Sequence, residues 1–313
     1  MRRLCWLLVC CLLLTTPRTY ALEFFGDLLY WQATEPVDWT MTTHGSSTDQ
    51  VVAFENLDYH FSSGFRVGMG VGPEDDWGVK LSYTRFYTDT EATTAGKVTP
   101  VFLGNRLALS LMDPPYFDIG SVRSVIDYNV LDLDFGISFR PIESLQVRPV
   151  LGLRGAWINQ TFDTEFQGTW TWWTIYLQKT SDEHITNRFW GIGPKVGVES
   201  SLNLWSGEKC RIDLAMNFYT AYLLGCWAIN DVTIDTTDGI SSRFDIPIND
   251  RRFGALTFQA MAGVNFRLGR WNATAGYEIN DWLNQCQIFD DATGPHNNDL
   301  VIQGLSVRVS CGF

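Results

Sequence analysis

Charged residues in this chain recur at alternate positions among apolar or small neighbours. Arg66 stands between Phe65 and Val67, and Lys80 between Val79 and Leu81. Asp132 and Asp134 alternate with Leu131, Leu133 and Phe135. The same placing holds for Asp27, Arg148, Arg154, Lys195, Glu199, Asp213, Arg267, Glu278 and Arg308. Cations and anions mixed on one face wet that face and set up a transverse field. Around an enclosed axis, such a face would line a passage for small hydrophilic solutes. The same charges could instead pair and close a narrow interior.

Other chemistry finds less support. His44, His60, His184 and His296 fall in expected connections, with Asp58, Ser62 and Ser63 near His60. Surface proteases of ten-stranded barrels need acids and a histidine at the rim, and outer-membrane lipases need serine and histidine. Proximity in sequence supplies no nucleophile–base geometry, so no enzyme is expected. Asp75-Asp76 and Asp290-Asp291 lack the spacing of a calcium loop, so neither a metal nor a cofactor is expected.

The elements that must carry these charges alternate with period two, which marks strands. Ten such segments are found, beginning with "LEFFGDLLYW" and ending with "LSVRVSCGF"; twelve is the alternative count. Tight turns such as "RPIES", "WSGEKC" and "LGRWN" alternate with long polar stretches near 34–61, 89–124, 158–187, 228–252 and 285–299. A soluble domain seldom needs so many long connections. Two of these stretches hold apolar segments, "VFLGNRLALSLM" and "TWTWWTIYL", which suit an extra hairpin, a loop helix or an inward plug.

The first 21 residues read as a secretory signal, with Arg2 and Arg3 before an apolar run and a cut after Ala21. Removing Arg2, Arg3 and Arg18 takes the formal charge from −12 to −15, which disfavours nucleic acid. Residues 22–313 then form one domain. A soluble sandwich would show the same alternation. Loop asymmetry, aromatic residues near strand ends and the closing aromatic Phe313 favour an antiparallel transmembrane β-barrel with short periplasmic turns and long extracellular loops. Phe313 is expected to act as the C-terminal signal for the barrel assembly machinery, which reads it by strand pairing. Of the four cysteines after residue 21, Cys226 and Cys286 map to the outer rim and are the preferred disulfide; Cys210 and Cys311 map to the periplasmic end.

Several stretches, in order, resemble the Legionella-type major outer membrane protein family, which also has members in chlamydia-related bacteria. They are "FFGDLLYWQATEPVDW", "GFRVGMGVGPEDDWGVKLSYTRFYT", "IDYNVLDLDFGISF", "VRPVLGLRGAWINQTF", "FWGIGPKVGVESSLNL" and "GYEINDWLNQCQIF". The resemblance implies a bacterial outer-membrane barrel with porin-like or structural surface roles and supplies no catalytic residues. The expectation is therefore a porin-like barrel for small hydrophilic solutes, embedded in outer-membrane lipid, with a trimer as the family-style assembly. The competing expectation is a non-conducting surface or adhesive barrel whose acidic loops meet host or envelope partners.

Overall fold

The computed structural model describes residues 22–313 apart from 47–48, 73–76, 111, 113, 247, 249 and 291–293. The expected signal segment, Asp75-Asp76 and Asp291 lie outside the described residues.

Ten strands close a ring. They are β1 (Leu22–Thr34), β4 (Ser62–Val71), β5 (Trp77–Pro100), β6 (Phe117–Ile137), β8 (Leu145–Trp172), β9 (Ile175–Ser206), β10 (Cys210–Thr237), β12 (Arg251–Leu268), β13 (Trp271–Asp290) and β14 (Gly294–Gly312). Each pairs antiparallel with its neighbours, and β1 closes the ring on β14, with Phe24 opposite Cys311 and Tyr30 opposite Leu305. Closure leaves no open edge in the ring, so every spanning backbone group has a partner within the protein. Four shorter strands lie outside the ring: the hairpin β2 (Asp38–Ser46) and β3 (Asp49–Asn56), then β7 (Phe139–Ile142) on β8 and β11 (Ile240–Ile246) on β10.

The outer wall is oily. Leu28, Val67, Leu81, Leu133, Leu153, Val196, Phe218 and Val264 all face outward and are exposed. Tyr30, Tyr87, Trp157 and Trp190 border this band on one side, and Phe24, Trp205, Trp271 and Phe313 on the other. Such a band between aromatic girdles is a lipid-facing surface, where a mid-membrane Arg or Lys would cost roughly 2–4 kcal/mol. That penalty explains why the strand charges alternate to the inner face.

The long polar stretches are mostly strand. β8 and β9 run for 28 and 32 residues, where crossing a bilayer takes about 9–11. Above the girdle these strands continue as a hairpin ladder to a turn at Trp173, so "TWTWWTIYL" is a hairpin tip. "VFLGNRLALSLM" contains the helix α1 (Leu103–Leu109), which turns inward with Gly104, Asn105, Ala108 and Leu109 buried. With both faces wet or capped, these extensions need no apolar alternation; backbone pairing alone makes them strands.

Candidate functional site: a charged lumen beneath an apolar layer

The inner wall of the barrel divides into two levels. At the short-turn end a cavity of about 450 Å³ is lined by Asp27, Arg66, Lys80, Asp132, Asp134, Arg148, Lys195, Glu199, Arg267, Glu278 and Arg308. Its lining reaches Gly72, Gly269 and Arg270, so the cavity opens on the periplasmic side. Arg154 and Asp213 also point inward but are buried beside it. The structure thus turns the charged residues singled out in the sequence to the inner face, eleven of them along this cavity and Arg154 and Asp213 beside it.

Within that volume they pair. Arg66 donates to Asp27 at 3.0 Å and to Glu278 at 2.7 Å, and Arg308 donates to the same Asp27 at 2.7 Å. Arg154 grips Asp132 through two hydrogen bonds of 2.8 Å and also reaches Gln259 on β12. Lys195 lies 3.1 Å from Asp132 and 2.9 Å from Asp134. Nearer the opening, Lys80 and Arg148 share Glu199, which also accepts a hydrogen bond from Tyr219. Arg211 pairs with Asp213 at 2.6 Å. The Arg66–Glu278 and Arg154–Gln259 contacts join strands that are not neighbours, so side chains bridge the lumen instead of only coating its wall. Forked guanidinium–carboxylate contacts of this kind fix geometry as well as charge.

Aromatic residues take over directly above. Trp31 lies over Arg66 and packs against Phe86. Tyr128 meets Trp282, Trp282 meets Phe189, and Phe189 meets Trp227. Gly191 and Gly225 make this possible, because a Cβ at either would lie 2.6 and 2.2 Å from the Phe189 ring. These rings belong to one buried apolar cluster with Leu29, Ile126, Ile158, Ile185, Leu300 and Ile302. Trp39 and Tyr59, from the chain between β1 and β4, and Phe102, at the start of α1, complete it from above.

Glu35 and Glu183 are buried in this upper level with no cation paired to them among the described residues. Glu35, just beyond β1, accepts from Gln160 and leaves its other oxygen unpartnered. Burial pushes its carboxyl up to about 7. Glu183 on the extracellular part of β9 accepts the Gly104 and Asn105 amides of α1 at 2.9 and 2.8 Å. Burial, and then the neighbouring Asp231 carboxyl, raise Glu183 well above the usual carboxylate range. Lys179 donates to the Ala108 carbonyl at 2.9 Å, and Ser181 joins Asn105 to Asp235. Polar side chains of β9 and β10 thus hold α1 in the mouth.

Sequence reasoning held a loop helix or inward plug among the readings of 101–112, but did not find Glu35, Glu183 or most of the aromatic layer. One signal was present: Leu29 and Trp31 share the inward parity of Asp27. The same parity rule, run upward from Lys80 and Asp132, reaches Phe86, Tyr128 and Ile126.

The expected Cys226–Cys286 disulfide is overturned: all four described cysteines are free. Cys226 lies opposite Trp190 and Arg252 on the outer face, whereas Cys286 is buried inside, on a strand that does not adjoin β10. The Cβ directions point to opposite sides of the wall, and no bridge can form without moving a strand. His184 Nδ1 meets Asp163 Oδ1 at 2.5 Å, with both side chains about half exposed. His44 and His60 are exposed elsewhere, and the side chain of His296 lies outside the described set.

A closed ring with an oily exterior, girdles and an ion-paired interior defines a transmembrane β-barrel. Matching residues 15–313 to the model of the Legionella pneumophila major outer membrane protein precursor shows the family. The chain belongs to that family and is a protein of the bacterial outer membrane. No curated protein sequence matches it. Among solved structures it is similar to the outer membrane protease OmpT of Escherichia coli, at 9% identity over 96% of this chain and 99% of that one, with a TM-score of 0.41. A major outer membrane protein from Thermus thermophilus is 10% identical over 95% and 100% of the two chains, with a TM-score of 0.31. The CymD monoaromatic hydrocarbon channel is 10% identical over 95% and 89%, with a TM-score of 0.34.

Proposed function

We propose that this protein is a structural, surface-exposed barrel of the outer membrane whose lumen is sealed to solutes in the described conformation. The observation that carries this reading is the buried layer of Trp31, Phe86, Tyr128, Phe189, Trp227 and Trp282 above the charged cavity. A hydrated ion or sugar crossing that layer would exchange its water shell for aromatic faces and a few polar groups such as Asn187 and Gln285, at a cost of several kcal/mol. Function then lies outside the lumen, in the extended hairpins. No catalysis is part of this reading; the exposed His184–Asp163 pair fits a solvated cross-strand contact.

Passive diffusion of small hydrophilic solutes is the second reading. It is favoured by the wet periplasmic cavity and by the polar attachment of α1, which a conformational change could release. Planar-bilayer recordings on the intact protein and on a variant lacking residues 101–112 separate the two. The sealed barrel stays silent in both forms. Discrete openings in the deletion variant alone identify a plugged porin, and openings in the intact protein overturn the sealed reading.

A further inference from the structure

Above the outer aromatic girdle, most exposed arginines on the outer wall have an acidic partner. Arg85 lies 3.9 Å from Asp127, Arg123 lies 3.4 Å from Asp89 and from Glu91, and Arg243 lies 2.8 Å from Asp245. Arg188 on β9 and Arg252 on β12 differ. Both are exposed, and neither has an ion-pair or hydrogen-bond partner among the described residues.

Their placement is specific. β10 runs between them. Arg188 stands opposite Ala228, and Arg252 stands opposite Cys226, two positions along the same outward face. Two strand spacings, roughly 10 Å, separate the two arginines laterally. The floor between them carries only the small side chains of Cys226 and Ala228, so both guanidiniums can lean over it. Trp190, two residues from Arg188 and opposite Cys226, walls the lower side. Tyr222 adds a hydroxyl. Its ring lies across Gly254, where a Cβ would meet the Tyr222 Cζ at 2.0 Å and Oη at 2.1 Å. Gly254 is two residues from Arg252 on the same face, so the phenol points toward the arginine pair.

We infer that Arg188 and Arg252, with the Tyr222 hydroxyl, hold a phosphate of an outer-leaflet glycolipid against the barrel wall over Cys226 and Ala228. Planar guanidiniums match phosphate oxygens in bidentate geometry and shed water more readily than an ammonium does. The position fits a lipid headgroup: the arginines sit one outward position beyond Trp190, at the border where oily wall gives way to polar wall. Acyl chains of the same lipid would run down past Trp190, Leu224 and Ile192, which are all exposed. Beyond this site the wall turns acidic, with Asp163, Glu165 and Asp182 exposed, which confines an anion to the arginine pair.

The test uses the full-length protein in detergent, incubated with diphosphorylated lipid A, with the same lipid stripped of its phosphates, or with phosphatidylglycerol. Native mass spectrometry reads lipid retained per barrel, and peptide mapping reads the alkylation rate of Cys226. The expected result is retention of the diphosphorylated lipid that falls tenfold or more without its phosphates and in R188Q/R252Q. The lipid should slow Cys226 alkylation in the parent protein but not in that variant. R123Q/R243Q, which removes two ion-paired arginines, should bind as the parent does, and heat-modifiability on gels confirms that each variant is folded. Equal retention by R188Q/R252Q, or of the phosphate-free lipid, overturns the site. Equal retention of phosphatidylglycerol overturns the glycolipid assignment.

Discussion

Below Trp31 the barrel is filled by Arg66, Asp27, Glu278, Arg154, Asp132 and Lys195; above it, by Phe86, Tyr128, Ile158, Phe189, Trp227 and Trp282. The wall around both is the same ten strands, with the same inward parity. The lower level is held by charge pairs whose partners come from several strands, and it is left with a cavity open to the periplasm. The upper level is packed like a soluble core and receives a helix from outside. A barrel this narrow can be stiffened by either chemistry, but only the upper level is filled mainly by apolar side chains. The contrast also separates two kinds of fragility. Ion pairs fail when one partner is lost, because the other stays buried and charged, whereas apolar packing fails in proportion to the volume removed.

Breaking the lower level should show the larger effect. Arg66→Met strands Glu278, 2.7 Å from the guanidinium, leaves Asp27 to Arg308 alone, and should cost about 3–5 kcal/mol in urea unfolding from lipid vesicles. A stability loss under about 1 kcal/mol would show that water reaches these carboxylates freely. In the upper level, Ile158→Ala should cost about 2–5 kcal/mol by leaving a cavity in the apolar cluster. The same assay measures it, and bilayer current through this variant would reveal whether the seal leaks.

The two levels should also differ in their response to pH. Glu35 is held up to about 7 by burial, against an ordinary value near 4.5, so the folded mouth keeps a proton that the unfolded chain has released. Stability from this group therefore falls as pH rises from about 4.5 to about 7, by roughly 3 kcal/mol, and levels off above that. Hydrogen exchange of the backbone around residues 35–39 should quicken over that window, and E35Q should flatten the profile. A smaller effect is expected at the plug: Lys179→Ala removes the donor to the Ala108 carbonyl and should loosen α1 by about 1.5–3 kcal/mol, read as faster tryptic cleavage at Arg106. Reducing agent should leave gel mobility and stability unchanged, since the described thiols are free.

Much of this architecture could be read from residue order, and the reasons are local. Lys80 between Val79 and Leu81, or Arg308 between Val307 and Val309, declares a wall with oil on one side and water on the other. Ten such segments count the ring. The signal fades where that contrast ends. Residues 89–100, 117–124 and 158–172 are strands beyond the membrane, and with polar groups on both faces they read as loops. Ion pairing was foreseeable as one of two outcomes for the lumen, but the partner of each charge depends on register across the ring. Glu35 and Glu183 carry no motif; only the packing of α1 and of the chain after β1 buries them.

The β8–β9 ladder has a further consequence. From Trp157 to the turn at Trp173, at about 3.3 Å per residue, it rises roughly 50 Å along the strand. At its summit Trp173 is 89% exposed and Tyr176 75%. The ladder thus carries bare aromatic rings far from the lipid-facing band, at a tip that no other strand covers.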